Sequence, residues 1–218
     1  MNSPKLVAHR PYRPSIPALD AVQELHEILQ QRRSIRQFST EPVALELIEE
    51  VVGCAMTAPS GANKQPWRFV CVQDPVLKKK IRAAAEVEER EFYQTRATQQ
   101  WKDDLAPLGT DAHKEFLEDA PWLVIVFRLV KDDDGGNVYY SDESVGIATG
   151  LLLAAAQIAG LATLTHTPSP MKFLSEVLGR PANERAYMLI PMGWPQPECE
   201  VPSAALVKKP LSQVMVKL

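Results

Sequence analysis

Apolar residues recur at helical spacing in two stretches near the start of the chain. Val22, Leu25, Ile28 and Leu29 fall on one face of Asp20–Gln31, and Leu45, Ile48, Val51 and Val52 do so within Val43–Met56. Trp67–Val72 is short and rich in β-forming residues, which predicts a buried strand. Asp74-Pro75 then reads as an N-cap followed by proline in the first turn. The helix it starts can run through Ala85 to Tyr93, and its later part is strongly charged. A further short helix is predicted over Asp111–Leu117, and a continuous apolar strand over Trp122–Val130. Glu143–Ala159 is helical and apolar on nearly every side, with Gly160 to stop it. Such a helix must be covered all round, in the core or at a subunit interface. Leu161–Thr167 and Tyr187–Met192 are further strands, with a helix between them and a long C-terminal arm beyond. The order predicts an α+β protein with a central sheet flanked by helices.

Length and composition bound the possibilities. The 218 residues make one generous domain or two small ones at about 100–150 residues each. Hydrophobic residues are 45% and charged residues 23%, so there is ample apolar surface to bury and disorder is excluded as the main state. Twenty-four Lys and Arg against 27 Asp and Glu give a net charge of −3, without the basic bias of a dedicated nucleic-acid binder. Cys54, Cys71 and Cys199 form no disulfide framework or zinc pattern and suit a reducing compartment. The basic, proline-rich start lacks the apolar core of a signal peptide, and Val145–Ala159 is too short to span a membrane. A soluble cytoplasmic protein is expected. The prolines at 11–17 and 191–202 mark extended segments and do not divide the chain, so residues 1–218 read as a single domain.

The common nucleotide, hydrolase and zincin motifs are absent, and His9, His26, His113 and His166 are too scattered for a metal site. Three other features carry candidate chemistry. Arg32, Arg33, Ser34 and Arg36 place three guanidinium groups and a hydroxyl within five residues, a dense anion site. Alone, they equally suit a solvated basic helix end. Residues 58–67 (APSGANKQPW) join a helix to a strand and can offer backbone N–H groups to a flat polar ligand, or be a plain turn. Glu89 and Tyr93 lie four apart on one helical face, and Lys114 comes from the next charged segment. Together they could grip a zwitterionic amino acid, or be solvated surface.

The first two features, taken in order, resemble the nitroreductase superfamily of FMN enzymes. From Arg32 to Leu218 the chain is similar to its iodotyrosine deiodinase branch. The resemblance is carried by RRSIRQFS, TAPSGANKQPWRFV, EEREFY, the stretch from QQWKDDL to HKEFLEDAP, YYSDESVGIATGLLLAAAQIAGLATLTHTP, LGRPANE and KKPLSQVMV, in the branch's order. Glu89, Tyr93 and Lys114 fall where that branch binds the zwitterion of its substrate.

The resemblance implies a central, mostly antiparallel sheet in an intertwined homodimer with FMN sites at the interface. It implies a mobile lid over residues 86–117 and an arm over 203–218 that reaches the partner subunit. Arg32, Arg33, Ser34, Arg36 and Lys208 would hold FMN by its phosphate and ring edge. Pro59, Ser60 and Gly61 would line the flavin, and the Ala62 N–H would meet the substrate phenolate. Thr165, His166 and Thr167 would lie beside the flavin, with the Thr167 hydroxyl near its N5. Lys208 stands where animal members have arginine, His166 replaces a threonine, and the loop after Pro168 is one residue shorter. Animal members carry an N-terminal membrane anchor, and the resemblance here is to the soluble members without one.

The activity implied is FMN-dependent reductive dehalogenation of halotyrosines by single-electron steps, giving tyrosine and halide. Electrons would come from NAD(P)H or a reductase, with no metal, nucleic acid or membrane as partner. A general NAD(P)H nitroreductase or quinone reductase is the rival enzyme; a non-catalytic flavin binder and a cofactor-free structural dimer are the others.

Overall fold

The computed structural model describes residues 3–218, and their contacts group into two units that meet between Arg32 and Arg33. The first unit is an extended segment followed by helix α1 (Ala18–Gln30), with the Ala21 N–H donating to the Pro17 carbonyl at 3.1 Å. No residue of α1 is buried, and Leu19, Val22, Leu25 and Ile28, on or beside its apolar stripe, are exposed.

The second unit is built on four strands, β1 (Trp67–Val72), β2 (Trp122–Leu129), β3 (Ala162–Thr163) and β4 (Glu184–Gly193). Their order is β1-β2-β4-β3 and every pairing is antiparallel. β2 sits inside the sheet with every residue buried but Arg128, the one break in its apolar run. Side chains alternate across a strand. Trp122, Val124 and Val126 therefore pack towards α2 (Leu45–Met56) and α6 (Ser141–Ile158), through Ile48, Val51, Val145 and Leu152. Leu123, Ile125 and Phe127 pack the other way, onto Ile81 of α3 (Pro75–Glu91), Leu117 of α5 (Phe116–Asp119) and Leu174 of α7 (Lys172–Val177). The Trp122 indole N–H, buried, donates to the Val43 carbonyl at 2.9 Å.

Most predicted elements are present. The Asp74 carboxylate accepts from the Leu77 N–H at 2.7 Å and caps α3. Gly160 ends α6 with φ 77°. Two expectations need correction. The helix over Asp111–Leu117 is confined to Phe116–Asp119, because the N–H groups that would extend it go elsewhere. The His113 N–H donates to the Asp111 carboxylate at 2.8 Å and the Lys114 N–H to Glu86 Oε1 at 3.0 Å. The strand over Leu161–Thr167 pairs regularly only at Ala162–Thr163; beyond it the Leu164 N–H donates to the Pro191 carbonyl at 3.3 Å, and His166 and Leu189 exchange two 2.9 Å backbone bonds. Of the two covers expected for α6, the core supplies only part: Ile147, Leu151 and Ile158 are exposed in the single chain. An unpredicted helix, α4 (Gln99–Leu105), is capped by the Thr98 hydroxyl accepting from the Trp101 N–H. The chain ends in a short helix, α8 (Leu211–Val214), on an exposed arm. Among the described residues no helix is long and apolar enough to cross a membrane.

Candidate active site

Ser34 forms a bridge with Thr163, and the Ile35 N–H donates to the Thr163 carbonyl at 3.0 Å. This fixes the second unit's part of the arginine cluster, Arg33 to Arg36, at the edge strand of the sheet. The same strand runs on into Thr165, His166 and Thr167. Thr165 and Thr167 are exposed while His166 between them is buried, the alternation of an extended chain. Sequence-predicted residues from three distant segments thereby meet. Arg36, Glu89, Tyr93, Lys114, Thr165, His166 and Thr167 all line one cavity of about 220 Å³.

Residues 86–117 bring two of the charges that line this cavity. α3 brings Glu89 inwards, and Lys114 Nζ lies 3.2 Å from Glu89 Oε2. Both are nearly buried, at 9% and 5% exposure. Lys114 Nζ also donates to the Asp111 carbonyl. Burial pushes the Glu89 carboxyl up, opposed by the charge and hydrogen bond of Lys114. Past α3 the helix loosens into a single π turn over Phe92–Arg96, and the Tyr93 hydroxyl donates to Thr110 Oγ1 at 3.0 Å. Burial pushes the Tyr93 phenol up and lowers Arg36.

His166 is the unsettled member of the set. Its Nε2 is buried without a hydrogen-bond partner, 3.7 Å from Glu89 Oε1, and its ring meets Phe116 edge-on at 5.7 Å. Burial first, then the positive charges of Lys114 and Arg36, bring its pKa down to about 3, so the imidazole is neutral at pH 7.

The cavity does not gather every expected residue. Pro59, Ser60, Gly61 and Ala62 lie on a separate, largely exposed loop. A Cβ at Gly61 would stand 2.7 Å from the Tyr139 carbonyl oxygen and 2.9 Å from the Tyr140 ring, so only glycine fits. Ala62, Asn63 and Gln65 hold positive φ of 51°, 53° and 48°. The Gln65 N–H donates to Ser60 Oγ at 2.9 Å. Three non-glycine residues in left-handed backbone within four positions mark a loop shaped for contact with something beyond itself. Lys208 is exposed on the C-terminal arm, and Arg32 is the last residue of the first unit.

An aromatic wall, unassigned from the sequence, completes the cavity. Phe92 and Trp101 line the cavity and meet edge-to-face at 4.9 Å, and Phe92 meets Tyr93 at 5.2 Å. The available signal was two large aromatics in an otherwise polar stretch. Among the described residues no cluster of His, Cys, Asp and Glu could hold a metal ion.

A mostly antiparallel α+β sheet with an arginine-bearing edge strand beside a polar, aromatic-walled cavity is a nitroreductase-like arrangement, and the Nitroreductase family model matches residues 29–194. The chain belongs to the nitroreductase family and, within it, to the iodotyrosine deiodinase branch. It is 51% identical over 197 residues to the iodotyrosine deiodinase of Haliscomenobacter hydrossis, covering 88% of each chain. It is 46% identical over 201 residues to iodotyrosine deiodinase 1 of Homo sapiens, covering 89% of this chain and 68% of that one. Among solved structures, it matches an oxidized iodotyrosine deiodinase bound to FMN and 3-iodo-L-tyrosine with a TM-score of 0.76 at 32% identity, over 88% of this chain and 97% of that one.

Proposed function

We propose that this protein is an FMN-dependent reductive dehalogenase of halotyrosines, converting iodotyrosine to tyrosine and iodide by single-electron steps. The observation that carries the reading is the buried Glu89–Lys114 pair facing Thr165–Thr167 across one cavity. A carboxylate and an ammonium held side by side offer complementary partners to the two charges of a free amino acid.

The residues present fit the cofactor. Arg33, Ser34 and Arg36 supply charged and hydroxyl donors of the kind that bind phosphate, on a segment hydrogen-bonded to the strand that leads into Thr165 and Thr167. Lys208, Pro59, Ser60 and Gly61 complete the set that would hold the flavin. When bound, the flavin supplies the electrons that break the carbon–halogen bond. The chain's own residues do the rest. Arg36 and its neighbours would stabilise negative charge on a reduced flavin, and the Thr167 hydroxyl would serve as a donor to it. The backbone N–H of Ala62 donates to the substrate phenolate, a role suited to the exposed, left-handed turn. Glu89 leaves Lys114 for the substrate ammonium, Lys114 takes the carboxylate, and Tyr93 hydrogen-bonds to either. Residues 86–117 close over the substrate and exclude water, which strengthens each of these contacts.

The working form is a homodimer with the loop at Pro59–Ala62 and the arm over 203–218 meeting the partner. What supports this is apolar surface left open in the single chain: Ile147, Leu151 and Ile158 on α6, and Val207, Leu211, Val214 and Val216 on the arm. Three free cysteines suit a cytoplasmic setting, and NAD(P)H or a separate reductase serves as electron donor. The test is anaerobic titration of dithionite-reduced holoprotein with 3-iodotyrosine. Flavin reoxidation with matching iodide release is expected. Nitroarene or quinone turnover without iodide release would favour the general reductase instead.

A further inference from the structure

Glu86 lies one turn before Glu89 on α3, outside the cavity lining, and it joins the two segments that carry the substrate's charge partners. Its Oε1 accepts the backbone N–H of Lys114 at 3.0 Å and the Arg82 Nε–H at 2.8 Å. Its Oε2 faces Arg90 Nη1 at 3.7 Å. Arg82 reaches on to Glu118 Oε1 at 3.1 Å, so the link extends from α3 across to α5. A carboxylate that accepts a backbone N–H in a segment without helical bonding defines where that segment sits. Here the segment presents Lys114, and the helix presenting Glu89 also presents Glu86.

We propose that Glu86, backed by Arg82, is a specificity-determining positioning residue: it sets the spacing between Glu89 and Lys114, and hence selects substrates bearing an α-amino-acid group. The proposal rests on the functional reading above. The spacing matters because two charges must be met at once, and a displacement of about 1 Å can cost a hundredfold in a positioned site. The hydrogen bonds from Arg82 and from the Lys114 N–H hold the Glu86 carboxyl below its ordinary range despite burial, so the link is charged at neutral pH. Neither residue lines the cavity, so neither has a direct hold on the flavin or the halogenated ring.

The test compares 3-iodotyrosine with 2-iodophenol, which keeps the reacting ring and lacks the zwitterion, in flavin-loaded wild type, Glu86→Ala and Glu86→Gln. Glu86→Ala should raise KM for 3-iodotyrosine about tenfold or more, the loss expected with a charge-assisted hydrogen bond. Its flavin content and its turnover of 2-iodophenol should stay at wild-type values. Glu86→Gln, whose amide oxygen can still accept the Lys114 N–H, should recover most of the difference. Wild-type KM for 3-iodotyrosine in Glu86→Ala would overturn the proposal, and so would an equal loss on both substrates, which marks a structural role. If Glu86→Ala does not fold, Arg82→Gln serves: a several-fold rise confined to 3-iodotyrosine supports the link, and no change overturns it. A wild type that releases no iodide from 3-iodotyrosine would overturn the functional reading itself. An active wild type alongside an unaltered Glu86→Ala overturns only this inference.

Discussion

The sheet and the segment over residues 86–117 are held in place by opposite means. β2 is apolar along almost its whole length and buried on both faces, between α2 and α6 on one side and α3, α5 and α7 on the other. The lid segment is polar, and charged contacts tie it down: Arg82–Glu86, Glu86 to the Lys114 N–H, Arg96–Glu88 and Lys114–Glu89. Apolar packing is non-directional and tolerates no partial opening without loss of area. Charged hydrogen bonds are directional and can be exchanged for others of the same kind. The difference places the proposed flavin contacts of Thr165–Thr167 on the scaffold and the proposed zwitterion contacts of Glu89 and Lys114 on a segment whose bonds a charged ligand can take over.

The largest effect should come from the scaffold. Phe127→Ala removes a fully buried ring and should cost about 3–5 kcal/mol of unfolding free energy, measured by denaturant titration. Flavin content and activity on every substrate should fall together. A variant that lost only halotyrosine turnover would blur the distinction between the two regions.

A lid substitution should instead separate substrates. Lys114→Ala and Glu89→Gln should each weaken 3-iodotyrosine binding by about 1.5–3 kcal/mol, roughly ten- to a hundredfold in Kd. Binding of 2-iodophenol should hardly change. Flavin fluorescence titration reads both. Thr167→Ala, on the scaffold side, should divide reactions rather than ligands. Loss of its hydroxyl donor should slow dehalogenation by about 0.5–1.5 kcal/mol of barrier while nitroarene reduction holds, measured as the ratio of the two rates.

The smallest effect is on pH dependence. His166 has a folded pKa below its unfolded value, so the unfolded chain binds the proton first. The histidine's contribution to stability is therefore full above about pH 6.5 and is lost as pH falls towards 3. Between pH 7 and 6 the loss should stay below about 1.4 kcal/mol, since one proton sets the limiting slope. Glu89, Lys114 and Arg36 face this ring, and Glu89, raised by burial, works in the opposite direction. His166→Thr should remove the histidine's share from the slope of the unfolding midpoint against pH.

The scaffold was also the more legible of the two regions in the sequence. A strand buried on both faces needs an unbroken apolar run, and Trp122–Phe127 supplies one; the Asp74-Pro75 start and the Gly160 stop are local signals that tertiary contacts did not override. The lid was legible only in part. Glu89 and Tyr93 share a face by spacing, but the course of 106–115 depends on Glu86 accepting a backbone N–H 28 residues away, which no periodicity encodes. The partnerless Nε2 of His166 was equally hidden, because burial on that side of the extended chain depends on Phe116 and α3 packing over it. The loop at Pro59–Ala62 was legible as a turn, while the crowding of Gly61 by Tyr139 and Tyr140 joins positions nearly eighty residues apart.

The most direct measurement is the ratio of dissociation constants for 2-iodophenol and 3-iodotyrosine on the flavin-loaded protein, wild type against Glu89→Gln. A halotyrosine enzyme whose lid grips the zwitterion should strongly favour 3-iodotyrosine in the wild type, and Glu89→Gln should cut that preference at least tenfold through the amino acid alone. Equal ratios in the two proteins would contradict it, leaving Glu89 and Lys114 as a structural ion pair and the protein as a general flavin reductase.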